Sequence, residues 1–244
     1  MTLIYEAPAA VPASYGLYPG AASVVDLADP SRLAQGVTIR TVNCGTLISW
    51  PIACDADPDG PGGVKEADRA PDADFVGTAV VAADECGIAE DVADQRNRLT
   101  QLLRLKEHIE VGEMVAAKLL AAGGVAVPEV GIVSAIGRAE EILSVFGFKG
   151  VIHLAPHMAA DVFNAQLATI SGSTVLSPLG HAYAFDGGYV AMGENIYVTG
   201  PVTVLRDPVE YIAEDTPQTN RRLVIAERNV VVAWECVVRR ITVT

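Results

Sequence analysis

Positive charge is scarce in this chain: 17 Lys and Arg stand against 30 Asp and Glu in 244 residues, a formal net charge of −13. That balance excludes electrostatic attraction to nucleic acid or to an anionic membrane as a basis for function. Long hydrophobic runs are missing too, since stretches such as LLAAGGVAVP (119–128) are too short and glycine-rich to span a bilayer. MTLIYEAPAAVP lacks a basic start and a cleavable apolar segment, so the protein is expected to be made and kept in a cytoplasm. The four cysteines, Cys44, Cys54, Cys86 and Cys236, form no CxxC pair, which argues against a zinc ribbon or a thioredoxin-type site. Buried free thiols are the simplest expectation, with a Cys86–Cys236 pair as the alternative. GxSxG, GxGxxG and P-loop motifs are absent.

What is present describes a strongly buried, folded protein: 50% hydrophobic and 19% charged residues, in a length suited to one large domain or two small ones. The acidity is uneven. Residues 1–100 carry 15 of the 30 acids but 6 of the 17 Lys and Arg, with a peak in CDADPDGPGGVKEADRAPDAD (54–74). Two of the four histidines, His153 and His157, are four apart in GVIHLAPHMAADVF (150–163). On one helix they would form half of a zinc site, but Pro156 places a strand end before it and a first helical turn after it. The pattern therefore predicts a strand carrying His153 that feeds a helix over PHMAADVFNAQLATI, with no metal site.

Periodicity orders the rest of the chain. Residues 1–20, rich in Ala, Pro and Tyr, read as an extended arm that needs another surface to order it. GVTIRTVNCGTLISWPIAC (36–54) reads as strand, bend, strand, and the acidic Gly/Pro segment after it as a projecting loop. FVGTAVVAA (75–83) is an apolar strand. A helix of roughly 45 Å is expected over about 90–121, with a stripe of Leu99, Leu102, Leu105, Ile109, Ala116 and Leu119. Glu90, Asp91 and Asp94 suit its positive end, Asp94 is placed to pair with Arg98, and Gly123-Gly124 stop it. Gly112 marks a bend or a close crossing. Helix IVSAIGRAEEILSVF and strands around STVLSP, HAYAFDG and NIYVTGPVTVLRDPVEYI follow, and RRLVIAERNVVVAWECVVRRITV is expected to form a long strand pair. The fold class is α+β, a long helix beside long strands with a compact αβ module inserted between them.

This order of elements resembles the major capsid protein of tailed phages, the Hong Kong 97-like fold. KGVIHLAPHMAADVF with TVLSPLGHAYAFDGGY, and NIYVTGPVTVLRD with TNRRLVIAERNVVVAWECVV, are the stretches most like the family; the latter is similar to the end of capsid proteins from phages of actinobacteria. The resemblance implies an N-terminal arm over 1–35, an extended β-hairpin loop over 36–74, and a peripheral domain with the spine helix over 75–124. It further implies an axial domain over 125–205 and peripheral return strands over 206–244. The implied function is structural and non-enzymatic: self-assembly as hexamers and pentamers of an icosahedral head shell that encloses double-stranded DNA without sequence-specific binding. Decoration, portal and scaffolding proteins are the further partners, with assembly in the host cytoplasm and no membrane, cofactor, metal or catalytic residue. The loop is expected to lie over a neighbouring subunit, and the arm, through Tyr5, Tyr15, Leu17 and Tyr18, to be buried mainly against other subunits. Some family members weld subunits through a lysine–asparagine isopeptide bond assisted by a glutamate, for which Lys65, Asn220 or Asn229, and Glu227 are the candidates. An encapsulin-like compartment shell is the nearest alternative. A small α/β enzyme using His153, His157 or His181 beside Asp161 or Asp186 is a more distant one.

Overall fold

The computed structural model describes residues 10–29, 33–45, 47 and 70–244. A turn of π-type helix, Leu17–Ala21, precedes strand β1 (Ser23–Asp26), and β2 (Val37–Ile39) pairs antiparallel with β3 (Ala73–Phe75). Strand β4 (Thr78–Gly87) leads into helix α1 (Val92–Ala122), followed by β5 (Val127–Glu129) and α2 (Gly131–Phe146). Next come β6 (Val151–Leu154), a 3-10 turn at Pro156–Met158, α3 (Ala159–Asn164), β7 (Thr169–Ser171), β8 (Thr174–Leu176) and β9 (Ala182–Phe185). A 3-10 stretch, Gly187–Met192, then precedes β10 (Asn195–Thr199), β11 (Val202–Arg206), β12 (Glu210–Thr216), β13 (Arg221–Trp234) and β14 (Val238–Val243).

These strands form two main sheets. In the five-stranded sheet β13 is the shared partner: β4 runs along one edge, and β12 and then β11 along the other, with β1 parallel to β11. Val224, Ala226, Val230 and Val232 of β13 are all fully buried against the core beneath α1, as a β-branched strand with one covered face requires. The seven-stranded sheet runs β5-β14-β10-β6-β9-β8-β7. Its second core joins Ala135, Ile136, Ala139 and Leu143 of α2 to Ile152, Val198 and Ile241.

The long helix has 31 residues and spans about 46 Å. Asp91 caps it by accepting the Ala93 N–H at 2.9 Å, and the Gly123 N–H closes onto the Leu119 carbonyl at 2.8 Å. Its buried face is Leu99, Leu103, Val111, Val115 and Leu119, a spacing of four or eight residues, while Leu102 of the expected stripe is 43% exposed. Both sides of this helix are apolar enough that periodicity alone does not select the covered one. Arg98 pairs with Asp84 on β4 at 2.6 Å and with Glu90 at 2.7 Å, so its partners lie before the helix and not at Asp94. Gly112 does mark a close crossing. A Cβ there would collide with the Asp186 carboxylate, and one at Gly188 would strike the backbone of Glu113 and Ile109.

Four expectations need correction. The arm packs on its own chain from Tyr15 to Asp26: Leu17 is fully buried, Tyr18 is 8% exposed, and β1 extends the five-stranded sheet. Tyr5 lies outside the described residues. The helix expected over 156–170 ends at Asn164, because Gln166 takes a positive φ of 58° and Thr169–Ser171 pair with β8. The strand before the Asn43-Cys44 bend pairs with β3, across the intervening segment, and most of its expected partner near 46–54 lies outside the described residues. Finally, the two C-terminal strands do not pair with each other. The chain turns at Glu235–Val237, with Cys236 at φ 70°, and β14 enters the other sheet between β5 and β10. Residues 206–244 are thus divided between the two sheets.

The Gly188 crossing leaves no flexible side chain to move aside. Gly188→Ala should lower stability to urea by about 2–3 kcal/mol, whereas Gly137→Ala, in open space on α2, should be neutral or stabilise by up to about 1 kcal/mol. Equal midpoints for the two variants would contradict the close approach.

Candidate functional site

The histidines are held apart by the fold. His153 is fully buried on β6, with Nδ1 2.8 Å from the Tyr189 hydroxyl and Nε2 2.9 Å from Thr199 Oγ1, and burial pushes its pKa down to about 3. His157, in the 3-10 turn that Pro156 begins, is half exposed and reaches Glu194 at 3.2 Å. His181 accepts the Gly150 N–H through Nδ1 at 3.2 Å. Asp161 lies in the short helix α3. Asp186 accepts the Leu17 N–H at 2.8 Å and the Gly188 N–H at 2.9 Å. Burial raises the Asp186 pKa, while these two N–H groups act in the opposite direction. His153, His157, His181 and Asp186 are each engaged with a separate set of partners. Among the described residues, the one group of three or more His, Cys, Asp or Glu with ligand atoms close enough for a metal is Cys44, Glu235 and Cys236.

That group is a disulfide with a carboxylate beside it. Cys44 and Cys236 are bonded across a sequence separation of 192, with Cα atoms 5.2 Å apart. Neither the free-thiol expectation for these two nor the Cys86–Cys236 pair holds. Cys86 stands opposite Arg222, near the start of β13. Cys236 lies beyond the far end of that strand, about 45 Å away along an extended chain. Cys86 is free, and Cys54 lies outside the described residues. Glu235 Oε1 accepts the N–H groups of Val42 (2.5 Å) and Asn43 (2.9 Å), and Oε2 accepts the Asn43 side-chain amide (2.7 Å). Burial pushes the Glu235 carboxyl upward, but these donors hold it below its usual value.

A second polar cluster lies where α1 faces the five-stranded sheet. Glu107, 4% exposed, stands 3.1 Å from Arg206 Nη1 and 2.9 Å from Arg228 Nε, and receives the Tyr18 hydroxyl at 3.4 Å. Arg206 also grips Asp26 of β1 with two nitrogens, at 2.8 and 3.0 Å. One carboxylate on the long helix therefore ties β11, β13 and the N-terminal segment together. Burial and the neighbouring Glu107 both raise the Tyr18 pKa, so this phenol stays protonated. Two open grooves flank α1. One, of about 410 Å3, lies over this cluster, and the other, of about 620 Å3, runs between α1 and β4 past Val81, Leu102 and Met114.

The outer surface is apolar in places. Val125, Val130 and Val145 are 81–92% exposed at the ends of the α2 region, and Leu179 and Val190 are exposed by more than 60%. Of the residues implicated in a covalent weld, Lys65 lies outside the described residues. Asn220 occupies a left-handed turn between β12 and β13, Asn229 donates its amide to Asp207 at 3.1 Å, and Glu227 stands opposite Glu210.

A long helix packed against two sheets defines a mixed helix-and-strand architecture. No family model and no curated protein matches the sequence. Solved structures do match over the full chain. The capsid of a native GTA particle superposes with a TM-score of 0.60 at 11% identity, covering 100% of this chain and 95% of that one. The mature capsid of bacteriophage PhiM1 gives 0.54 at 10% identity, covering 100% and 92%. The holo-SrpI encapsulin complex from Synechococcus elongatus PCC 7942 gives 0.56 at 10% identity, covering 98% and 92%. The chain has the phage-capsid fold.

Two outcomes test the buried groups. Glu107→Ala removes the buried counter-charge of two guanidinium groups and leaves them only the exposed Asp26 carboxylate. It should cost about 2–4 kcal/mol in urea unfolding, below the largest values for buried pairs because both arginines are partly exposed. His153 is neutral in the fold and gains a proton in the unfolded chain below the ordinary histidine value of 6.5, so acid favours unfolding. Stability should fall by about 2 kcal/mol from His153 alone between pH 7 and pH 5. His153→Gln should remove that part of the slope, and an unchanged slope would contradict a neutral buried ring.

Proposed function

We propose that this chain is the major capsid protein of a tailed phage, assembling as hexamers and pentamers into the icosahedral head shell around double-stranded DNA. The observation that carries this reading is the end-to-end superposition on chains of assembled capsids, which covers arm, long helix and both sheets and not one shared module. In this reading α1 is the spine helix, and the five-stranded sheet with α1 is the peripheral domain. The seven-stranded sheet with α2 is the axial domain, and the β2–β3 ribbon is the base of the extended loop over 36–74. The exposed valines of the axial part supply apolar contact area for neighbouring subunits.

The charge of −13 is compatible with a DNA container. A genome driven in by a motor needs no attraction from the wall, and an acidic wall does not hold phosphates back during ejection. Decoration, portal and scaffolding proteins are the partners this role calls for, and the virion is its location. An encapsulin-like compartment is the second reading, favoured by the superposition on an encapsulin chain.

Expression of the full chain followed by electron microscopy should show closed shells or capsomers that withstand size-exclusion chromatography. A monodisperse monomer at high protein concentration, across low and high salt and in the presence of a crowding agent, would overturn the assembly reading. Particles from the native source separate the two shells: nuclease-protected double-stranded DNA supports the phage head, and an enclosed enzyme supports the compartment.

A further inference from the structure

Cys44 and Cys236 join two places that the fold brings together from opposite ends of the chain. Cys44 follows the strand that closes the β2–β3 ribbon, and Cys236 sits in the turn where the chain passes from the five-stranded to the seven-stranded sheet. That turn is confined independently of the disulfide. Glu235 fixes Val42 and Asn43 through three hydrogen bonds, the Val237 N–H closes onto the Glu235 carbonyl at 2.9 Å, and a Cβ at Gly200 would collide with that carbonyl. Both residues are half-buried and line an open cleft of about 270 Å3 beside Trp234. The two half-cystines are thus held within bonding reach by contacts that persist without the bond, and a small thiol or disulfide has a path to them. Buried structural disulfides have no such path.

We propose that Cys44 and Cys236 are a reversible redox modification site, dithiol under reducing conditions and disulfide once the protein meets an oxidant. The oxidised form latches the base of the ribbon to the junction of the two sheets. The co-reactant is a low-molecular-weight disulfide. A Cys thiolate attacks one of its sulfurs and expels the first small thiolate. The second Cys thiolate then attacks the mixed disulfide and expels the other, so the protein loses two protons and two electrons and the reagent becomes two thiols. Glu235 is a positioning residue, because its hydrogen bonds keep residues 42–44 at the turn in the dithiol state. Cys86 is not a partner. It lies at the far end of β13, where Glu90 and Asp84 beside it keep its thiol protonated.

The latch does not depend on the assembly reading, so it is tested on the full chain at any oligomeric state, in buffers of reduced and oxidised glutathione. The oxidised wild type should melt roughly 5 °C or more above the reduced form, because the bond closes a very long loop. It should also show two fewer titratable thiols. Cys44→Ser and Cys236→Ser should melt with reduced wild type in both buffers, whereas Cys54→Ser and Cys86→Ser should retain the full difference. Glu235→Gln should shift the thiol–disulfide midpoint about tenfold towards easier reduction, a readout that a purely structural role would not move. Equal melting of the oxidised and reduced wild type would overturn the proposal. So would a redox effect that survives in Cys44→Ser, or one that disappears in Cys54→Ser.

Discussion

The fold depends on one buried carboxylate at a backbone crossing. Asp186 ends the strand side of the seven-stranded sheet, caps the Gly187–Met192 turn through Gly188, and holds the N-terminal segment through the Leu17 N–H. The long helix passes so close that glycine is required at 112, and Gly16 lies equally close on the other side. An isolated carboxylate in this position would be strongly disfavoured, and the two N–H donors make it tolerable. The long helix, the N-terminal segment and the end of β9 share this point. The absence of a side chain at Gly112 and Gly188 is therefore as much a part of the packing as any leucine.

Most of the elements were legible because each leaves a local trace. The 31-residue helix shows as caps and periodicity, β13 as a β-branched alternation, and the Pro156 turn as a rule about proline. What was not legible is pairing across long sequence distances. Leu17 reads as an arm residue awaiting a partner chain, because its partner, Asp186, is 169 residues away. The strands that hold Trp234 and Val238 read as a pair with each other, because nothing local says that Cys236 turns the chain into a second sheet. The bond to Cys44 follows from that same unforeseen turn.

The separation of the histidines was legible in the sequence, and the polar clusters were not. Pro156 correctly separates His153 from His157, and the buried ring proves to be a hydrogen-bonded part of the core. The Glu107 cluster left no sequence signal. A glutamate on a helix is ordinarily solvated, and its two arginines come from strands 99 and 121 residues further on.

The placing of residues 221–243 bears on how the chain folds. Strand β13 is the central strand of one sheet and β14 an inner strand of the other. Neither sheet is complete until β13 and β14 have paired, although α1, α2 and six strands of the seven-stranded sheet precede them in sequence. Contacts of such high sequence separation form late and slowly. One segment, residues 221–243, therefore closes both sheets, and the two cores are completed together.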